Sequence, residues 1–198
     1  MIASFDHHAM SPQAYLDWEA HQEIRHEYLD GYAYAMSGGT LTHNAIAINL
    51  IATLRGQLRG GPCRVFGSDA KVRISEQGPF FYPDVVVSCD GGDRQAVQFL
   101  QAPCLVVEVL SPTTEAYDRG AKFQQYRRLP SLREYLLISS QQISVDLFRL
   151  NAAQTWELHP YGIGDDIHLT SLDFTLPIDV LYEEVEFPTA SSIKLSLD

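Results

Sequence analysis

The sequence predicts a mixed fold of the α/β (α+β) class, with a mixed central β-sheet flanked by helices. Helical and strand patterns follow one another through the middle of the chain in the order helix, strand, strand, strand, helix, strand. The apolar run at 105–110, rich in β-branched residues, is typical of a strand that is buried on both faces. The 198 residues and 45% hydrophobic content fit one domain over residues 1–198 with a sizeable core.

The N-terminal part predicts a helix, a hairpin and a second helix. Ser11 is a suitable N-cap, and Pro12 suits the first position of a short helix. Asp30-Gly31 supplies the two-residue turn of a β-hairpin. Thr40 can cap the second helix, which is expected to end near residue 60. Its apolar face is predicted from the residues that recur at helical spacing, namely Leu41, Ala45, Ile48, Ile51, Ala52 and Leu58.

The middle and C-terminal parts supply the strands of the sheet. CRVFGSDAKVRI has a strand pattern, and so has FFYPDVVVS, where Pro83 lies near the start and is tolerated. Ser111-Pro112 ends the strand at 105–110, and a helix capped by Thr113 or Thr114 runs from there to about residue 129. EYLLIS is the next strand, SVDLFRL and TWELHPY form an antiparallel pair, and LPIDVLYEEV predicts a last short helix.

The charge of the chain constrains its partners. A formal net charge of −11 argues against a tight, non-specific nucleic-acid binder. The basic residues are nevertheless concentrated in two groups, which could present one positive face to a polyanion if they lie together. These groups are Arg55, Arg59, Arg64, Lys71 and Arg73, and Arg119, Lys122, Arg127, Arg128 and Arg133.

The sequence predicts a cytoplasmic protein with no membrane partner. No apolar run approaches the roughly 18 residues of a membrane span, and the N-terminus lacks the basic and apolar regions of a signal peptide. The cysteines Cys63, Cys89 and Cys104 are odd in number and form no C-x-x-C pair. They are therefore predicted to be reduced core residues rather than a disulfide or a zinc site.

Two carboxylates indicate a metal site at one end of the sheet. Glu108 interrupts the buried strand, where an isolated charge would be very costly. Asp84 stands at the head of the strand at 85–87, so the two carboxylates can reach the same end of the sheet if these strands pair. They would repel each other unless a cation lies between them, and Mg²⁺ or Mn²⁺ with several retained waters is the natural choice. The backbone carbonyl of Val109 can add a further ligand.

Lys122 is predicted to lie on the helix that follows the Glu108 strand and folds back over the sheet. A lysine near a metal-bound water can orient that water and stabilise charge on a phosphate, so the three residues indicate metal-assisted phosphodiester hydrolysis. Tyr126 shares the helix face of Lys122, where a core role is favoured over a catalytic one. The structural alternatives are a turn cap for Asp84, a buried salt bridge between Glu108 and Lys122, and a solvated helix face for Lys122.

The same segments resemble a known family. PDVVV, EVLSPTT, DRGAKFQQY and REYLLI are similar to the Uma2 family of restriction endonucleases, in the PD-(D/E)XK nuclease superfamily, and the similarity extends over most of the chain. The resemblance implies a restriction-endonuclease-like core with an extra N-terminal hairpin and C-terminal antiparallel strands. It also implies that Asp84 and Glu108 bind Mg²⁺ while Lys122 assists the attacking water. The usual lysine position of the superfamily, two after the acid, holds Leu110 here, so Lys122 on the next helix takes that role.

Two accessory positions also match the family. Glu27 in the hairpin can reach the metal or one of its waters, and the alternative is a solvated or cross-strand carboxylate. His43, early in the second helix, can face the phosphate, and the alternative is a capping or packing histidine.

The function implied is that of a Mg²⁺-dependent endonuclease acting on DNA, and a homodimer would supply two sites for two strands. One alternative is a catalytically silent nuclease fold that serves as a binding or assembly module, which the charge of −11 favours. Another is a metal-dependent hydrolase of a small phosphoester, which would have a small closed pocket.

Overall fold

The computed structural model describes residues 9–187, over which strands outnumber helices. The α-helices are α1 (Pro12–Glu19), α2 (Leu41–Gln57), α3 (Gly91–Gln95), α4 (Glu115–Tyr117) and α5 (Phe123–Tyr126). The strands are β1 (His26–Leu29), β2 (Tyr32–Ala35), β3 (Arg64–Gly67), β4 (Val72–Arg73), β5 (Phe80–Phe81), β6 (Val85–Ser88), β7 (Pro103–Leu110), β8 (Glu134–Ser139), β9 (Val145–Leu150), β10 (Trp156–Tyr161), β11 (Asp166–Leu169) and β12 (Phe174–Pro177). A π-helical turn spans Asp118–Lys122, and 3₁₀ turns span Thr170–Leu172 and Ile178–Tyr182.

The central sheet has six strands in the order β10-β9-β8-β7-β6-β3. Only β7 and β8 run parallel in this sheet. The helical segment at 115–126 connects them and returns the chain to the end of the sheet where β7 begins. The other neighbours are antiparallel, including the predicted pair β9 and β10. The predicted mixed sheet with flanking helices is confirmed.

Both faces of this sheet are covered, so its central strands alternate between two cores. Val107 and Val109 of β7 pack in one core with α2 and the C-terminal hairpin. Val106 and Leu110 pack on the opposite face with Phe123 and the helical segment that follows β7. This two-sided burial explains why β7 is apolar along nearly its whole length.

The helix α2 forms where the sequence predicts it, but its apolar face was predicted only in part, since Ile51 and Leu58 pack against the core and Leu41 and Ile48 do not. Thr40 caps the helix by accepting a hydrogen bond from the backbone N–H of His43. The side chain of Leu41 is 90% exposed and that of Ile48 is 54% exposed. The helix is apolar around most of its circumference, so spacing alone could not select the face that packs on the sheet. The buried residues of that face are Ile46, Ala47, Leu50 and Leu54. Within residues 9–187 no helix is long and apolar enough to span a bilayer.

A smaller four-stranded sheet, in the order β2-β1-β5-β4, holds the N-terminal hairpin. The predicted turn is present, with φ of 51° at Asp30 and 92° at Gly31, as a two-residue hairpin turn of this kind requires. The run FFYPDVVVS supplies β5 to this sheet and β6 to the central one, with Pro83 in the connection. The backbone around Pro83 therefore joins the two sheets.

The C-terminal part pairs β11 with β12 and ends in a 3₁₀ turn at Ile178–Tyr182, where a short helix was expected. The helix predicted after β7 is also irregular. It consists of α4, the π-helical turn and α5 in direct succession, and it ends at Tyr126 rather than near residue 129. A π-helical turn inside a helix often marks a functional site.

The prediction that all three cysteines are reduced is wrong. Arg64 of β3 pairs with Ser88 of β6, and the next residues outward along these antiparallel strands are Cys63 and Cys89, which form a disulfide. Cys104 keeps a free thiol, and its Sγ lies 3.7 Å from that of Cys89. The sequence could not show this pairing because it depends on the register of two strands 26 residues apart.

Candidate active site

The register of β6 and β7 brings the two predicted carboxylates to one end of the central sheet. Val85 pairs with Val107 and Val86 with Val106, so the next position in this register sets Asp84 opposite Glu108. Asp84 Oδ2 also accepts a hydrogen bond of 2.7 Å from the backbone N–H of Val109. The sequence predicted that these carboxylates would share one end of the sheet if their strands pair, and the structure shows that pairing.

Glu108 lies on the sheet face that is covered by the helical segment after β7. Its side chain is only 5% exposed, and Lys122 Nζ lies 2.8 Å from its Oε1. This oxygen is fully buried but accepts no hydrogen bond, because the ammonium contact does not meet hydrogen-bond geometry. Burial raises the pKa of Glu108 well above its usual value, although the charge of Lys122 opposes that shift.

Lys122 is the buried cation of the site. Besides Glu108, its Nζ lies 3.0 Å from Glu27 Oε1 and 3.8 Å from Asp118 Oδ1. Burial lowers the pKa of Lys122, but the charges of Glu108 and Glu27 outweigh burial and raise it well above its usual value. Lys122 therefore stays protonated, and it does not lie on a solvated helix face.

Glu27 belongs to the same cluster, although it lies on the hairpin of the smaller sheet. Its side chain is 8% exposed, and its Oε1 accepts a hydrogen bond from the backbone N–H of Tyr82. The alternative of a solvated hairpin carboxylate is thus excluded by its burial. Two sheets and the segment after β7 contribute to one site.

Asp118 was missed by the sequence analysis. It is buried at the first position of the π-helical turn, and it lies four residues before Lys122. The signal was the i, i+4 spacing of an acid and a lysine, which on most helices marks an exposed pair of little consequence. Tyr126, one turn after Lys122, packs against Phe81 and Tyr135 and belongs to the core, and its buried hydroxyl makes no hydrogen bond.

His43 contacts Asp84 from the first turn of α2. Its Nε2 lies 3.1 Å from Asp84 Oδ2, so the histidine is neither a helix cap nor a purely packing residue. Burial lowers the pKa of His43, but the hydrogen bond and charge of Asp84 outweigh it and raise the pKa above its ordinary value. A backbone hydrogen bond with Val109 adds to this increase.

These groups line a cleft of about 1270 Å³ between the two sheets and α2. The acidic residues along it outnumber the basic ones, and they are Glu23, Glu27, Asp69, Asp84, Glu108 and Asp118. The basic residues that line it are Arg25, Lys71 and Lys122, so only Lys71 and Lys122 of the two predicted basic groups reach the cleft. Arg119, for example, is held by Glu115 and Asp146 instead.

The oxygen donors of the cleft suit a divalent cation such as Mg²⁺. Within residues 9–187 no three His, Cys, Asp or Glu side chains stand together as metal ligands. Mg²⁺ usually takes only one or two carboxylates and keeps several waters, and it prefers hard oxygen donors. Asp84 and Glu108 meet this requirement. The buried carboxylates Glu27, Glu108 and Asp118 share one ammonium, that of Lys122, and this excess of negative charge fits an additional cation.

Comparisons with known proteins agree with this architecture. The model of the Uma2 family, described as "Putative restriction endonuclease", matches residues 12–180, so the chain belongs to the Uma2 family. A protein of Synechocystis sp., uncharacterized protein slr1290, is 43% identical over 178 residues, which cover 90% of this chain and 94% of that protein. A second Synechocystis protein, sll1609, is 30% identical over 149 residues, which cover 73% and 82% of the two chains.

A solved structure shares the fold. The crystal structure of a putative nuclease belonging to DUF820, from Anabaena variabilis, superposes with a TM-score of 0.74 at 16% identity. The match covers 89% of this chain and 99% of that one. The predicted restriction-endonuclease-like fold class is therefore confirmed as a nuclease-like fold.

Proposed function

We propose that this protein is a Mg²⁺-dependent endonuclease that hydrolyses phosphodiester bonds of DNA. The observation that carries the proposal is the convergence of Asp84 and Glu108 at the end of two paired strands, with the ammonium of Lys122 on Glu108. Membership of the Uma2 family supports a nuclease. We choose DNA as the substrate because that family is described as a restriction endonuclease.

Each residue has a distinct part in this proposal. Asp84, Glu108 and the carbonyl of Val109 would hold the metal, and the chemistry that bound Mg²⁺ supplies is neutralisation of phosphate charge and a more acidic water. Lys122 keeps its proton because two carboxylates raise its pKa, so it donates to the attacking water or to the phosphate and does not serve as a base. His43 holds Asp84 in place, and Glu27 positions the ammonium of Lys122.

The test measures metal binding and cleavage on the same samples. Titration calorimetry with Mg²⁺ is done on wild type, Asp84→Asn and Glu108→Gln, followed by incubation with plasmid and single-stranded DNA. The expected result is binding and Mg²⁺-dependent cleavage in wild type, and loss of both in the two variants. Asp166→Asn is the matched control, because Asp166 is exposed on β11 and does not line the cleft.

Absence of Mg²⁺ binding by wild type, with and without DNA, contradicts the catalytic proposal. The protein would then fit a silent binding module, in which Lys122 permanently neutralises the buried carboxylates. Binding of Mg²⁺ without DNA cleavage would favour hydrolysis of a small phosphoester, an alternative that the predominantly acidic lining of the cleft also favours. The size of the cleft does not suit the small closed pocket expected for that alternative.

A further inference from the structure

Two cations lie against one aromatic ring on a wall of the cleft. Lys71 Nζ is 5.5 Å from the centre of the Tyr82 ring and 5.0 Å from that of Tyr15, and Arg25 Cζ is 5.7 Å from the Tyr82 ring. A cation in contact with a ring face gains a modest electrostatic stabilisation and keeps N–H donors for another partner. Both Lys71 and Arg25 line the cleft.

The positive charge of this pair is compensated only in part, by the exposed carboxylate of Asp69. Over residues 9–187 Lys71 forms no ion pair with a carboxylate, and burial lowers its pKa while the charge of Glu19 opposes that shift. Arg25 is paired with Asp69, whose side chain is 84% exposed. An exposed pair of this kind is worth at most about 1 kcal/mol, so an incoming anion can replace it.

Tyr82 ties these cations to the proposed metal site. Its backbone N–H donates to Glu27 Oε1, and its hydroxyl donates to the buried Glu19, so both ends of the residue are fixed. Asp84 follows two residues later, a backbone distance of at most about 7 Å. The cations therefore lie against the segment that leads to Asp84, in the same cleft as the carboxylates.

The rest of the cleft offers no comparable binding group for a polyanion. Lys122 is engaged by Glu27 and Glu108, and the other ionised side chains along the cleft are carboxylates, apart from the imidazole of His43. A phosphate chain that enters this cleft would be repelled everywhere except at a bound metal and at the Lys71–Arg25 pair.

We propose that Lys71 and Arg25, supported by Tyr82, form a subsite for a second phosphate of a nucleic-acid strand, next to the phosphate at Asp84 and Glu108. This inference rests on the proposed function and deepens it. It identifies the substrate as a chain of at least two phosphodiesters rather than a small phosphoester with one phosphate.

The experiment measures binding, so that it does not depend on cleavage. Fluorescence anisotropy in Mg²⁺ with a labelled single-stranded oligonucleotide is done at several salt concentrations on wild type, Lys71→Gln and Arg25→Gln. We expect each variant to bind roughly threefold to tenfold more weakly and the slope of log Kd against log salt to fall by about 0.7, the loss of one phosphate contact. Lys71→Arg should restore the slope because it keeps the charge.

Three controls separate this subsite from folding and from the metal site. Arg55→Gln removes an exposed charge of α2 outside the cleft and should change neither affinity nor slope. A labelled dinucleotide with a single phosphodiester should bind wild type and Lys71→Gln equally, since it cannot reach both positions. Mg²⁺ calorimetry should give the same affinity in wild type and both variants.

Wild-type affinity and salt slope in Lys71→Gln and Arg25→Gln would overturn the subsite and leave the proposed metal site intact. Failure of wild type itself to bind the oligonucleotide, although it binds Mg²⁺, would overturn the nucleic-acid substrate together with the subsite. Oligonucleotide binding by the wild-type protein distinguishes these two results.

Discussion

At the residue scale, three buried carboxylates of the candidate site share one buried cation. Lys122 contacts Glu27, Glu108 and Asp118, all of which are less than 10% exposed. A buried ion pair adds little net stability, but removal of one partner leaves an uncompensated charge in the interior. The charges of the proposed active site therefore also determine the stability of the fold.

Replacement of Lys122 by methionine should destabilise the metal-free protein by about 3–5 kcal/mol, because Glu27 and Glu108 lose their cation. Urea denaturation in EDTA measures this change in the free energy of unfolding. Excess Mg²⁺ should restore more stability to Lys122→Met than to wild type, since the metal is then the sole cation beside Glu108. Lys71→Met, at a half-buried lysine without a carboxylate partner, is the control and should lose less. Equal stability of Lys122→Met and wild type in EDTA would refute the prediction.

Another buried carboxylate, Glu134, has a structural role outside the cleft. Its side chain is fully buried at the start of β8 and accepts hydrogen bonds from the backbone N–H groups and hydroxyls of Thr170 and Ser171, as well as from Arg149. These bonds fix the turn between β11 and β12 onto the central sheet.

The variant Glu134→Gln should therefore lower the free energy of unfolding by about 3 kcal/mol, since an amide cannot accept all of these bonds and leaves Arg149 unpaired. Thermal denaturation measures the loss. Mg²⁺ affinity, measured below the unfolding transition, should stay at the wild-type value because Glu134 does not line the cleft. A fall in Mg²⁺ affinity without a change in stability would contradict a structural role.

At the scale of elements, the antiparallel pairing of neighbouring strands determines which side chains lie at each end of the sheet. The pairing of β6 with β7 sets Asp84 beside Glu108 at one end. The pairing of β3 with β6 sets Cys63 beside Cys89 at the other end of β6. Antiparallel pairing thus produces both the candidate site and the disulfide, which lie at opposite ends of one four-residue strand.

The disulfide should be measurable by its thiols and by its effect on stability. Denatured, unreduced protein should contain one reactive thiol, that of Cys104, and reduced protein should contain three. Reduction should lower the free energy of unfolding by about 2–4 kcal/mol, because it releases a loop closed over 26 residues. Cys104→Ser serves as the control and should respond to reduction as wild type does. Three reactive thiols before reduction would show that the bond does not form in solution.

At the scale of the whole molecule, the protein is acidic overall and acidic in its cleft. The formal charge of −11 and the carboxylates that line the cleft repel a nucleic acid unless a divalent cation neutralises them. Association with a polyanion should therefore depend on the metal as strongly as cleavage does.

In EDTA, wild type should bind a single-stranded oligonucleotide weakly but with a measurable Kd, and Mg²⁺ should strengthen this binding. The double variant Asp84→Asn and Glu108→Gln should bind the oligonucleotide in EDTA at least roughly fivefold more tightly than wild type, because two repelling charges of the cleft are removed. Anisotropy titrations measure the affinities of wild type and of the double variant, with Asp166→Asn as the control outside the cleft. Equal affinities of wild type and double variant in EDTA would show that repulsion in the cleft does not limit binding.

Much of this protein could be predicted from its sequence, for local reasons. Asp30-Gly31 specifies a hairpin turn, the β-branched run at 105–110 specifies a strand buried on both faces, and Thr40 specifies the start of a helix, because each depends only on neighbouring residues. The interruption of that run by Glu108 predicted a metal ion beside it, which stays a prediction, and the structure shows the alternative contact, a buried ion pair with Lys122. The sequence predicted that Asp84 and Glu108 would share one end of the sheet only if their strands pair, and the structure supplied that pairing.

Only the tertiary structure decided which distant residues share a surface. It selected the buried face of α2, brought Glu27 and Asp118 to Lys122, and set His43 against Asp84. It also paired Cys63 with Cys89 and placed Lys71 and Arg25 against the ring of Tyr82 on a wall of the cleft. The physical reason is that local pattern specifies the direction of a side chain within its own element, whereas contacts between elements depend on strand register and sheet packing, which the whole chain determines.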